Sequence, residues 1–155
     1  MDSSIPKLDY VSLFETRRGP GSNSEFYLLQ RTKKFAVIED EPLIGMEITS
    51  TLQEGGAQVF GPVAAVSDAL RIIEESELDG ALVDANLRGE PTDDIAAALT
   101  RKKIPFMFVT GYGREALPAS FAQARILKKP FVERELVEAA ALLVEQPPSV
   151  RRLRD

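Results

Sequence analysis

The stretch "DGALVDANLRGE", residues 79–90, decides how this chain folds. Ala81, Leu82 and Val83 read as the end of a buried strand, and Asp84 stands where that apolar run stops. A carboxylate at the mouth of a hydrophobic strand has two readings. Either it begins a loop, or it is a reactive group presented at the edge of a sheet. The segments on both sides of it decide between them.

Strand-like and helix-like segments alternate outward from this point. "KFAVIE" (34–39) is a short β-branched and aromatic run that ends in acids, and "PLIGMEITSTLQE" (42–54) follows with Pro42 suited to a first helical turn. Ile44, Ile48 and Leu52 recur every four residues there, and Gly55-Gly56 provides the stop. "AQVFG" (57–61) is a second strand, and Ser67 is expected to cap a helix over "DALRIIEES" (68–76). "GALVD" (80–84) is the third strand. "TDDIAAALTRKK" (92–103) places acids first and bases last, as the helix dipole favours. "PFMFVT" (105–110) and "ARILKK" (124–129) are the fourth and fifth strands. "VERELVEAAALLVEQ" (132–146) closes as a helix with Leu136, Ala140 and Leu143 on one face.

Five near-continuous apolar strands alternating with amphipathic helices predict an α/β fold, a doubly wound parallel sheet with helices on both faces. In such folds the site lies outside the carboxyl ends of the strands, where the strand order reverses. The residues ending each strand are therefore the ones to read. The first strand ends in "EDE", the third in Asp84, the fourth in Thr110 and the fifth in "KKP". Glu39, Asp40 and Asp84, with one hydroxyl and one lysine, converge on one edge of the sheet. Each alone is an ordinary helix cap, turn residue or solvated lysine; their coincidence at the ends of apolar strands is what points to a site.

Composition narrows the chemistry. The 155 residues suffice for one domain with a sizeable core, and 44% apolar with 28% charged residues fits an ordinary globular protein. There is no cysteine and no histidine, which excludes disulfides, thiol nucleophiles, the usual zinc ligands and the usual general base. Crowded carboxylates raise one another's proton affinity unless a cation sits among them. With oxygen donors only, that cation is a hard one, and Mg²⁺ is expected. A cation, a hydroxyl and an ammonium around a carboxylate form a cradle for phosphoryl oxygens, with Asp84 as the nucleophile.

The matching pieces "VIEDEP", "LVDANLRGE", "FVTGYG" and "LKKPF" stand in an order and at spacings that resemble the receiver domain of bacterial two-component response regulators, over about Phe35 to Glu145. The resemblance implies a flavodoxin-like strand order 2-1-3-4-5 and makes Asp84 the phosphoacceptor. It implies that Asp40 and Asp84 bind Mg²⁺ directly, with the Asn86 backbone carbonyl as a third ligand and Glu39 acting through water. Thr110 and Lys129, rather than Lys128, would contact the phosphoryl group. A lysine aimed into the site from just before Pro130 fits the cis peptide bond that is the family's habit. The run Phe108–Gly113 narrows the likeness to a subgroup with Phe-x-Thr-Gly-Tyr-Gly after the fourth strand. The implied partners are a histidine kinase or histidine phosphotransfer protein and a downstream effector protein, and a homodimer is compatible.

Two departures bear on switching. Ile126 occupies the position where most receivers carry a Tyr or Phe switch residue, and Pro118 interrupts "REALPASFAQ", where a helix is expected. The switch is therefore expected in Thr110–Gln123, a segment expected to be easily frayed, with Tyr112 as its moving aromatic. An aspartyl-phosphate phosphohydrolase is the competing reading. That class wants an acid two residues after the nucleophile, and Asn86 occupies the position.

The domain assignment is an extension or linker over 1–33, a receiver domain over 34–147 and a tail over 148–155. The net charge is −5, but residues 35–150 carry 19 acids against 10 bases, a net −9. So acidic a body repels a phosphate backbone, which argues against a nucleic-acid partner. No apolar stretch approaches the roughly 18–20 residues that span a bilayer, and no signal peptide is recognisable, so a cytoplasmic protein away from membranes is expected.

Overall fold

The computed structural model describes residues 32–145. The extension expected over 1–33, apart from Thr32 and Lys33, and the tail expected over 148–155 lie outside the described residues. The elements are β1 (Lys34–Ile38), α1 (Pro42–Glu54), β2 (Gln58–Val63), α2 (Val66–Glu75), β3 (Gly80–Asp84), α3 (Asp93–Arg101), β4 (Phe106–Thr110), β5 (Arg125–Lys128) and α4 (Glu133–Leu143). Two 3₁₀ turns, Arg114–Ala116 and Ala119–Phe121, stand between β4 and β5.

The strands form one parallel sheet in the order β2-β1-β3-β4-β5, as expected. Side chains alternate across it, so each strand feeds two cores. Phe35, Val37, Leu82, Met107, Val109 and Leu127 face α1 and α4, where Ile48, Leu52, Leu136, Ala140 and Leu143 meet them. Ala36, Ile38, Ala81, Val83 and Phe108 face α2 and α3, against Ala69, Ile73, Ile95 and Leu99. Burying each large apolar side chain contributes about 1.5–3 kcal/mol before conformational entropy is subtracted. Central β3 is buried throughout, whereas β2, at an edge, is half-exposed.

Three details differ from, or refine, the reading of the sequence. Ser67 does not cap α2: the helix opens two residues earlier than expected, with Ala65 at its cap and no side-chain hydrogen bond there. Val66 packs against the second core, so burial rather than capping sets the helix start. Second, β2 runs past Gly61 to Val63, through a bulge opposite β1. Gly61 has φ +118°, and a Cβ there would lie 2.5 Å from the Val37 carbonyl oxygen, so the bulge requires glycine. Proline is tolerated beside it because β2 is an edge strand. Third, the 113–123 segment carries only the two short turns, as Pro118 predicts, yet it is better anchored than its sequence suggests. Leu117 is buried, Phe121 packs edge-on against Phe106, and the Arg114 guanidinium donates to the Ala122 and Ala124 carbonyls. No helix among the described residues is long and apolar enough to cross a membrane.

Candidate functional site

The carboxyl ends of β1, β3, β4 and β5 meet at the point where strand order reverses. Backbone pairing continues just past the strands and fixes the residues there. The Glu39 N–H donates to the Val63 carbonyl at 2.9 Å, Ala85 N–H to Val109 at 3.2 Å, and Lys129 N–H to Thr110 at 2.8 Å. Alternation then sorts the side chains. Glu39, Asp84 and Lys129 continue the series Val37, Leu82 and Leu127, and so share one flank. Lys128 falls on the opposite series and is exposed, which is why Lys129 is the lysine of the site. The Lys129–Pro130 bond is cis, as expected.

Lys129 is the hub. Its Nζ lies 2.9 Å from Glu41 Oε1, 3.2 Å from Glu39 Oε1 and 3.6 Å from Asp84 Oδ2. Its hydrogen bond to Glu39 goes to Oε2, at 3.4 Å, which also accepts the Glu41 N–H at 3.1 Å. Glu39 Oε1 is thus buried with an ammonium nearby but no aligned hydrogen bond. On Asp84, Oδ1 accepts the Asn86 N–H at 2.9 Å, leaving Oδ2 towards Lys129.

The electrostatics follow from crowding. Burial, then a hydrogen bond with Asp84, pushes the Glu39 carboxyl from 4.5 up to about 8. Burial also raises Asp84, although the hydrogen bonds from Glu39 and the Asn86 N–H, with the Lys129 charge, oppose it. Both carboxyls are thus raised, Glu39 chiefly by its burial and by the acid beside it. Burial pushes Lys129 down, but the hydrogen bond to Glu41 and the charges of Glu39 and Asp84 outweigh it, and the net shift is upward.

Not every expected residue joins this cluster. The three carboxylates with oxygens within 4.8 Å of one another are Glu39, Glu41 and Asp84, not Glu39, Asp40 and Asp84. The Asp40 carboxyl touches Asp84 but leans towards Arg88, whose Nε is 3.6 Å away. Glu41 was the residue missed. It is the third acid of "EDE", and what marks it is its contact with Lys129, distant in sequence. The Asn86 side chain is exposed and its Oδ1 accepts the Gly89 N–H at 2.8 Å, while its carbonyl accepts the Arg88 N–H at 3.1 Å. Thr110 ends β4, buried, and its Oγ1 accepts the Tyr112 N–H at 3.0 Å. Ile126 is half-buried against the second core, paired with Phe108 across the sheet.

Chemically, the site presents a carboxylate oxygen beside an ammonium, among acids whose burial raises their proton affinity. An all-oxygen set with a buried, unsatisfied carboxylate oxygen fits a hard divalent cation.

No family model matches the chain. SdrG from Sphingomonas melonis Fr1, known from a solution structure, is 34% identical, with a TM-score of 0.65 over 73% of this chain and 97% of that one. The phyllosphere-induced regulator PhyR of Methylorubrum extorquens is 30% identical over 99 residues, 61% of this chain. The chain spans only 37% of the length of PhyR. The receiver domain of a sensor histidine kinase from Pseudomonas aeruginosa PAO1, with a magnesium ion coordinated in its active-site cleft, shares the fold at 22% identity and a TM-score of 0.63, over 72% of this chain and 97% of that one. With its sheet order, its strand-end acids and this near-complete match to SdrG, the chain belongs to the response regulator receiver family of phosphorelay signalling.

Proposed function

We propose that Asp84 is the phosphoacceptor of this receiver and that its phosphorylation switches a protein-interaction surface. The observation that carries the proposal is the setting of Asp84 Oδ2. It belongs to a buried carboxylate, held at the rim of the sheet by the Asn86 N–H through its other oxygen, with Lys129 Nζ 3.6 Å away. Asp84 Oδ2 would attack the phosphorus of a phosphohistidine, forming the P–O bond as the P–N bond to the donor imidazole breaks. Lys129 and the Thr110 hydroxyl would take the oxygens of the transferred group.

Asp40 and Asp84, the Asn86 backbone carbonyl and, through water, Glu39 are the residues proposed to hold Mg²⁺. When bound, it would neutralise charge on the transferred phosphoryl. The Asn86 carbonyl keeps a second lone pair beside its bond from Arg88. The magnesium in the P. aeruginosa receiver supports the choice of ion.

The Tyr112 N–H on Thr110 Oγ1 links the site to the 113–123 segment. As Thr110 turns its hydroxyl proton to the phosphoryl group, its oxygen keeps the Tyr112 bond and draws that backbone along. We assign the chain to the Phe-x-Thr-Gly-Tyr-Gly subgroup on the run Phe108–Gly113 and on the short turns that replace a helix after it. A histidine kinase or histidine phosphotransfer protein would supply the phosphoryl group in the cytoplasm, and an effector protein would read the switched surface. The role is regulatory rather than enzymatic. Asn86, two residues after Asp84, carries an amide, which cannot give up and take back a proton as phosphohydrolase chemistry requires. Phosphotransfer from candidate histidine kinases, followed by mapping of the labelled residue, tests the proposal. Label on Asp84 supports it, and label elsewhere refutes it.

A further inference from the structure

We propose that Glu41 is a positioning residue of this site. In the unphosphorylated protein it holds the Lys129 ammonium back from Asp84, and a phosphoryl group on Asp84 has to win the lysine from it. The inference rests on the reading of Asp84 as phosphoacceptor and adds a residue that the strand-end pattern left out.

Among the Lys129 contacts the shortest, 2.9 Å, goes to Glu41 and the longest, 3.6 Å, to Asp84. Glu41 is not a loose surface acid that happens to lie within reach. Its N–H is bonded to Glu39 Oε2, its carbonyl accepts the Gly45 N–H at 2.9 Å, and Pro42 opens α1 directly after it. The backbone is therefore fixed at the opening of α1, with the side chain set against the lysine.

The three carboxylates around Lys129 differ in how easily they let go. The side chains of Glu39 and Asp84 are 1% and 7% exposed, but that of Glu41 is 59% exposed. A solvated carboxylate loses little when its cation leaves, because water replaces the contact. A phosphoryl group on Asp84 carries about −1.5 to −2 where the carboxylate carried −1, a net gain of up to about one negative charge, and presents three strong acceptor oxygens, so it outbids Glu41. Glu41 thus acts as a releasable rest for Lys129, and its strength is subtracted from the affinity for the phosphoryl group.

The test compares the wild type with Glu41→Gln, which removes the charge and keeps the size. Lys129 is labelled with an amine reagent in the absence of any phosphoryl group and read by mass spectrometry. Both proteins are then titrated with beryllofluoride in Mg²⁺. In Glu41→Gln, Lys129 should label about two- to fivefold faster and beryllofluoride should bind tighter by a similar factor, the range an exposed ion pair allows. Labelling of Lys102, which donates to the Ile73 carbonyl on the opposite flank, should not change. Unchanged labelling of Lys129, or unchanged or weaker beryllofluoride binding, overturns the inference. A wild type that takes up no beryllofluoride instead overturns the phosphoacceptor reading itself.

Discussion

Glu39 and Asp84 stand side by side at the ends of paired strands, one step beyond the Ile38–Val83 register, with carboxylate oxygens within 4.8 Å of each other. Two acids in this position at the neck of a sheet keep a proton that neither would hold in water. From about pH 4.5 to about 8 the folded protein retains it on Glu39, whereas the unfolded chain has released it. Unfolding therefore releases a proton in that window, and stability falls as pH rises through it, by at most about 1.4 kcal/mol per pH unit. In a metal chelator, denaturant melts should show this decline between pH 5 and pH 8, and Glu39→Gln should flatten it. A wild-type profile that rises over the same range would contradict the raised proton affinity of Glu39.

The same pair predicts a response to Mg²⁺. If the proposed ligands Asp40, Asp84 and Glu39 hold a cation, it would replace the proton as the neutralising charge and so stabilise the fold that binds it. At tenfold excess over Kd the gain is about 1.4 kcal/mol, or roughly 5 °C in Tm for a domain of this size. Asp40→Ala should lose most of the rise. Equal rises in the two proteins would place the ion elsewhere.

The 113–123 segment should be the part that moves. It has no α-helix, and its backbone hydrogen bonds are short-range turn bonds, joined by two from the exposed Arg114 side chain. Amides from Gly113 to Gln123 should exchange faster than those of β1, β3 and β4, with Leu117, the buried anchor, the slowest among them. Beryllofluoride with Mg²⁺ should slow them. Protection equal to that of the central strands, unchanged by beryllofluoride, would exclude this segment as the switch.

How far the site was legible depends on which residues periodicity governs. Asp84, Thr110 and the Lys128–Lys129 pair end or follow apolar strands, so the strand pattern locates them, while the choice of Lys129 over Lys128 comes from the family resemblance. Asp40 and Glu41 lie beyond the last residue of β1, where the choice between them depends on a lysine 88 residues away and on Arg88 in another loop. No local pattern reports such contacts. The start of α2 was missed for a related reason: Ser67 is a good capping residue, but the burial of Val66 won. The anchoring of Leu117 and Phe121 was hidden for the same cause, since it is made by Phe106 and the core rather than by neighbours in sequence.

The central claim is that one carboxylate accepts the phosphoryl group. Wild type and Asp84→Asn should be incubated with acetyl phosphate and Mg²⁺ and their intact masses compared. The wild type should gain one phosphoryl group, and Asp84→Asn, with the shape of the site kept and the nucleophile removed, should gain none. Equal incorporation in the two proteins would contradict the account.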